Sequence, residues 1–122
     1  MSTILVVEND KNHLLLLEQE LLFEGYNVVT ARDGCEALKK THVHLPDIVV
    51  MDTYLPDMDC VELVEKILYG HRKIPVIIHT SHDGYKCRLI TLLTDADVVK
   101  KSSDLAELKH VINKFADKKG FK

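Results

Sequence analysis

Pro46-Asp47-Ile48-Val49-Val50-Met51-Asp52 is the stretch that decides the fold. Four apolar residues stand in an unbroken row, entered from a proline and closed by a carboxylate. A strand with one wet face would alternate apolar and polar residues. A short continuous run suits a strand covered on both faces, as in parallel sheets.

Two more runs of this kind lie on either side, Ile4-Leu5-Val6-Val7 and Val76-Ile77-Ile78. Asn27-Val28-Val29-Thr30 and Ala96-Asp97-Val98-Val99 are more polar, which suits the edges of the same sheet. Helical patterns separate the runs. Leu14, Leu17, Leu21 and Leu22 repeat at helical spacing up to Gly25, a stop signal. Asp33 stands three residues before Glu36 and Asp59 three before Glu62, so capping boxes open helices over 34–42 and 60–69. A fourth helix is expected over 85–93. A fifth, over 104–117, has Ser103 as cap and Leu105, Leu108, Ile112 and Phe115 on one stripe. Strands alternating with helices call for an α/β fold: a doubly wound, five-stranded parallel sheet in (βα)5 order between two helical layers. With 122 residues the chain fits one domain, 1–122.

Composition removes several classes of function. A net charge of -3 gives no basic excess for neutralising nucleic-acid phosphates, so no nucleic-acid partner is expected. Cys35, Cys60 and Cys87 form no CxxC pair or disulfide framework and read as reduced thiols. Glu8, Asn9 and Asp10 interrupt the first apolar run too early for a signal peptide or a membrane span. The expected location is therefore the cytoplasm, with no membrane association.

In a doubly wound sheet, ligands bind beyond the carboxyl ends of the strands, where the winding reverses. Glu8, Asn9 and Asp10 follow the first strand, Asp52 the third, Thr80 and Ser81 the fourth, and Lys100 and Lys101 the fifth. Clustered carboxylates raise one another's pKa, and a divalent cation relieves that repulsion. Oxygen ligands with room for water suit Mg²⁺. A hydroxyl and an ammonium nearby could hold phosphoryl oxygens, and phosphoryl transfer needs little beyond positioning and charge. Taken singly, such residues are commonly turn formers, helix caps or solvated lysines, and Asp10 reads as an N-cap. The signal lies in their combination.

Over nearly its whole length the chain resembles the receiver domains of two-component response regulators, which share the flavodoxin-like three-layer fold. The matching pieces are Ile4 to Asp10, Gly25-Tyr26-Asn27-Val28, Gly34-Cys35-Glu36-Ala37-Leu38 and Pro46 to Asp52. They continue with Leu55-Pro56-Asp57-Met58-Asp59, Pro75-Val76-Ile77, Thr80-Ser81 and Val98-Val99-Lys100. The resemblance implies that Asp52 accepts a phosphoryl group from a phosphohistidine on a sensor histidine kinase or phosphotransfer protein. It implies Mg²⁺ held by Glu8, Asn9, Asp52 and the backbone carbonyl of Tyr54. Thr80 supplies the hydroxyl that follows the phosphoryl group, and Lys100 the ammonium that pairs with it. The chain would assist only its own phosphorylation and dephosphorylation, and so is not expected to be an enzyme otherwise. Its output would pass through the fourth helix, fifth strand and fifth helix to a separate protein, as in stand-alone receivers.

Four residues depart from the family pattern. Asn9 replaces an acid, which lowers the charge offered to a cation. Cys60 stands where a Gly follows Asp59, and Lys101 where a Pro follows Lys100, so a trans bond is expected there. Asp97 takes the place of an aromatic that swings inward in many members; a carboxylate enters an apolar slot only at high cost. Asn9, Asp97 and Lys101 support an alternative, a degenerate receiver acting as a constitutive protein-binding module. A flavodoxin-like cofactor binder would want a Gly- and hydroxyl-rich cradle where Glu8-Asn9-Asp10 stands. A phosphatase with an aspartyl nucleophile would want an Asp at the position of Tyr54. His79 with His82, and His42 with His44, lack a third ligand for zinc and read as ordinary histidines.

Overall fold

A computed structural model of the protein describes residues 2–70, 74–81, 97–101 and 105–118. The elements run β1 (Thr3–Val7), α1 (Lys11–Phe23), β2 (Asn27–Ala31), α2 (Gly34–His44), β3 (Ile48–Met51), α3 (Cys60–Gly70), β4 (Val76–Thr80), β5 (Asp97–Lys100) and a C-terminal helix α4 (Ala106–Lys118). The helix expected over 85–93 and the cap at Ser103 lie outside the described residues, as do Cys87 and His82.

All strand pairs are parallel, in the order β2-β1-β3-β4-β5. The two polar runs are the edge strands, as expected, because only an edge strand tolerates partly wet faces. Strand alternation divides the core into two layers. Leu5, Val7, Val49, Met51, Val76 and Ile78 meet α2 and α3 through Ala37, Leu63, Val64 and Ile67. Ile4, Val6, Ile48, Val50, Ile77 and Val99 meet α1 and α4 through Leu14, Leu17, Leu21, Leu108 and Ile112. Leu22, expected in the repeat, points outward. With Leu15, Leu16 and Phe23 it gives α1 an exposed apolar side opposite the buried one.

Local chemistry fixes the helix ends. Gly25 adopts φ +97°, a conformation that favours glycine. The Gly25 N–H donates to the Leu22 carbonyl and the Tyr26 N–H to the Leu21 carbonyl, the paired bonds of a Schellman stop. Asp33 caps α2 by accepting the Glu36 N–H at 2.7 Å. Glu36 reaches back to the Arg32 N–H rather than to that of Asp33, so the box is closed one residue early. Asp59 accepts the N–H of Val61 at 2.8 Å, an N-cap bond to the second helical residue.

Leu21 is 1% exposed and touches the layer that seats α1 on the sheet. Leu21→Ala should cost about 2–5 kcal/mol of stability, read as a lower urea midpoint at unchanged slope.

Candidate functional site

The winding of the sheet reverses around β1 and β3, and their carboxyl ends lie side by side. Val7 pairs with Met51, so the next residues, Glu8 and Asp52, emerge together. Backbone bonds fix both: the Glu8 N–H donates to the Ala31 carbonyl and the Asp52 N–H to the Val7 carbonyl, each at 3.0 Å. On the other side of Asp52, β4 ends at Thr80, whose carbonyl accepts the Lys101 N–H at 2.7 Å.

The ammonium in this site belongs to Lys101. Its Nζ lies 2.8 Å from Glu8 Oε1 and 3.3 Å from Asp52 Oδ2. Lys100, which the sequence reading put in this role, pairs with Thr80 in the register but is exposed. The reason is strand parity. Val99 faces the α1/α4 layer together with Ile4, Val6, Ile48 and Val50. Continuing that alternation, Glu8, Asp52 and Lys101 fall on one side and Lys100 on the other. Every family position read on β5 therefore moves one residue toward the C-terminus. The slot expected at Asp97 becomes that of Val98, which packs half-buried against the α2/α3 layer. The charged obstacle expected in that slot is removed. The Lys100–Lys101 bond is trans. The position after the site lysine becomes Ser102, outside the described residues.

Glu8 is 3% exposed yet keeps its charge. Burial pushes its pKa up, but bonds from Lys101, His13 and the Asp10 N–H outweigh burial and hold it below the ordinary value. Asp52 goes the other way: burial first, then the charge of Glu8, raise its pKa against the opposing pull of Lys101. Lys101 itself is raised, burial being overcome by its two carboxylates. One ammonium between two carboxylates leaves the site short of positive charge.

Thr80 is buried, and its hydroxyl lies 2.9 Å from that of Thr53. The Thr53 N–H donates to Asp52 Oδ1 at 2.8 Å, so Thr53 joins the Thr80 hydroxyl and the carboxylate through one residue. The loop after β3 is anchored by Asp57, which accepts the Gly34 and Cys35 N–H groups, each at 2.8 Å, and whose pKa these bonds lower. The adjacent Met58 packs so closely on Gly34 that a Cβ there would meet its side chain at 2.5 Å. Tyr54 lies in this loop with an exposed side chain, so only its main chain could take part.

Asn9 turns toward β2: its side-chain N–H donates to the Arg32 carbonyl at 3.2 Å, and Arg32 donates to the Asn9 carbonyl at 3.2 Å. Among the described residues no three His, Cys, Asp or Glu side chains are grouped to hold a metal. A cation beside Glu8 and Asp52 would complete its shell with amide or main-chain oxygens and water. That donor set fits a hard cation such as Mg²⁺.

The sequence reading missed His13. It stands at the third position of α1, where Asp10 Oδ1 accepts its N–H, and its Nδ1 lies 2.6 Å from Glu8 Oε1. Its ring stacks on that of His79, with centroids 5.4 Å apart. His79 is buried, and its pKa falls to about 4, chiefly through burial and then through His13 and Lys101. Helical periodicity alone would have marked position 13 as a neighbour of the sheet.

These shifts have opposite consequences for stability. The raised Asp52 binds its proton more tightly when folded. Its contribution is full below its ordinary value of 3.8 and falls as pH rises through the folded value. Glu8 contributes above its ordinary value of 4.5 and loses that contribution as pH falls through its lowered one. At pH 7, Asp52→Asn should raise the thermal midpoint. Glu8→Gln should cost about 1–3 kcal/mol, since bonds to a buried charge are lost.

Residues 4–113 match the response regulator receiver domain family. The alkaline phosphatase synthesis transcriptional regulatory protein PhoP of Bacillus subtilis is 35% identical over 94 residues, 77% of this chain and 39% of that protein. The response regulator ArlR of Staphylococcus aureus is 35% identical over 109 residues, 88% of this chain and 49% of that protein. The chain thus spans less than half the length of these two relatives. Among solved structures, the response regulator TrrA of Thermotoga maritima in complex with Mg²⁺-BeF superposes with a TM-score of 0.87 at 34% identity. That match covers 94% of this chain and 99% of that one. A CheY-like receiver domain of Methanospirillum hungatei gives a TM-score of 0.90 at 28% identity, covering 97% and 95% of the two chains. Fold, strand-end chemistry and these matches agree that the chain belongs to the response regulator receiver domains of two-component signalling.

Proposed function

We propose that this receiver is a phosphorylatable switch, accepting a phosphoryl group on Asp52 from the phosphohistidine of a sensor kinase or phosphotransfer protein. The observation that carries this reading is Lys101, whose ammonium lies within reach of both Glu8 and Asp52 at the switch point of the sheet. An Asp52 oxygen attacks phosphorus in line while the bond to the imidazole nitrogen breaks, giving an acyl phosphate. The protein's part is placement and charge. Lys101 faces one carboxylate oxygen, the Thr53 N–H holds the other, and the Thr80 hydroxyl bonds that of Thr53. Mg²⁺, when bound, would neutralise charge on the phosphoryl oxygens. Glu8, Asn9, Asp52 and the Tyr54 carbonyl are the residues that would hold it. The similar Thermotoga protein was solved with Mg²⁺-BeF, which supports this choice of ion.

The phosphodonor's docking surface is read as α1, whose exposed Leu15, Leu16, Leu22 and Phe23 lie on the side of the helix turned away from the sheet. We further read the chain as cytoplasmic, where such donors act, and as no enzyme beyond its own modification. Among the described residues no helix is long and apolar enough to cross a membrane. One observation favours a second reading, a receiver that binds a partner without phosphorylation: the Asn9 amide is tied to Arg32.

Incubation with Mg²⁺ and a small acyl phosphate separates the two readings by mass spectrometry. A gain of one phosphoryl group that Asp52→Asn abolishes is expected; no gain, with the cognate kinase included, supports the second reading. Lys101→Met should slow labelling by about 100-fold, the usual scale for losing one charge-stabilising donor, whereas Lys100→Met should stay within about twofold of native.

A further inference from the structure

Glu8 is a buried carboxylate with three donors. Oε1 accepts from Lys101 at 2.8 Å and from His13 Nδ1 at 2.6 Å, and Oε2 accepts the Asp10 N–H at 3.1 Å. Lys101 is shared with Asp52, but His13 is not. An anionic group arriving on Asp52 must draw the ammonium toward itself, because the site holds no other lysine or arginine contact to either carboxylate among the described residues. Glu8 would then keep His13 and the Asp10 N–H as its protein donors, beside any Mg²⁺ it helps to hold. A buried carboxylate that loses one of its bonds depends on those that remain.

We propose that His13 is a positioning residue that holds Glu8 in place, so that Lys101 is free to leave it for an anionic group on Asp52. The proposal rests on the reading of Asp52 as the phosphoryl acceptor. The imidazole is fixed for this task from three sides. Its backbone N–H is capped by Asp10, its Nδ1 meets Glu8, and its ring lies on His79. His79 comes from β4 and is 2% exposed, with Nδ1 lacking a hydrogen-bond partner among the described residues. A neutral His79 serves as a flat platform under His13 and adds no positive charge beside Lys101. The holding is geometric: Nδ1 is the ring atom nearest the backbone, and the amide nitrogen of an Asn can reach the same place.

The test is the binding of beryllofluoride with Mg²⁺, followed by calorimetry on the native chain, His13→Leu and His13→Asn. His13→Leu should weaken binding by about tenfold or more, and His13→Asn should recover to within about threefold of native. Equal binding by native and His13→Leu overturns the proposal, and so does failure of Asn to rescue, which marks a role in packing only. If the native chain itself takes no beryllofluoride, the phosphoryl-acceptor reading fails separately. The hold on Glu8 is then decided by urea unfolding of His13→Leu, Lys101→Met and the double variant. A combined loss greater than the sum, including failure of the double variant alone to fold, supports it. Additive losses overturn it.

Discussion

A single ammonium between two carboxylates organises the functional end of this protein. Glu8 and Asp52 are forced together by the pairing of Val7 with Met51, before any side chain is considered. Two carboxylates at neighbouring strand ends, one buried and one half-buried, would repel, and Lys101 makes the arrangement tolerable from across the sheet. It does so unequally. Glu8 has His13 and the Asp10 N–H besides, and is held ionised; Asp52 has Lys101 and the Thr53 N–H, and its ionised form is disfavoured. The carboxylate with fewer partners is the one we propose as the phosphoryl acceptor.

The rest of the edge is built to keep that inequality. Asp57 ties the loop after β3 to the first turn of α2, and Met58 fills the space above Gly34. A side chain at Gly34 would oblige the flexible end of Met58 to move. On the opposite side, Asp10 caps α1 and so aims His13 at Glu8. Two helix caps therefore position the surroundings of both carboxylates. Capping is usually considered for its stability contribution; here it also places chemistry.

The fold was legible because its signals are local. Unbroken apolar runs mark doubly covered strands, and Gly25, Asp33 and Asp59 mark helix ends within a residue or two. The acidic half of the site was equally readable, since Glu8 and Asp52 directly follow such runs. The lysine was not. Lys100 and Lys101 are chemically the same, and only the parity of β5 against its neighbours separates them. Parity depends on where pairing with β4 begins, at Ile77 with Asp97. With no Pro after the lysine to fix the register, the motif could slide by one, carrying the aromatic slot from Val98 to Asp97. His13 was missed for a different reason. Its partners, Glu8 and His79, are brought to it by the packing of α1 on the sheet, which spacing along one helix does not reveal.

Lys101 is also bound through its backbone, its N–H donating to the Thr80 carbonyl. Its side chain and the Thr80 hydroxyl thus hang from strands tied at their ends. A pull on the ammonium acts on the end of β5, and a shift of Thr80 away from Thr53 acts on β4 beside it. Neither needs a long relay, because one backbone bond joins them. Since β5 is an edge strand, its outer side is not held by another strand of the sheet. The ammonium that reaches Asp52 is thereby carried at the end of an edge strand, while Glu8 and Asp52 themselves directly follow the inner strands β1 and β3.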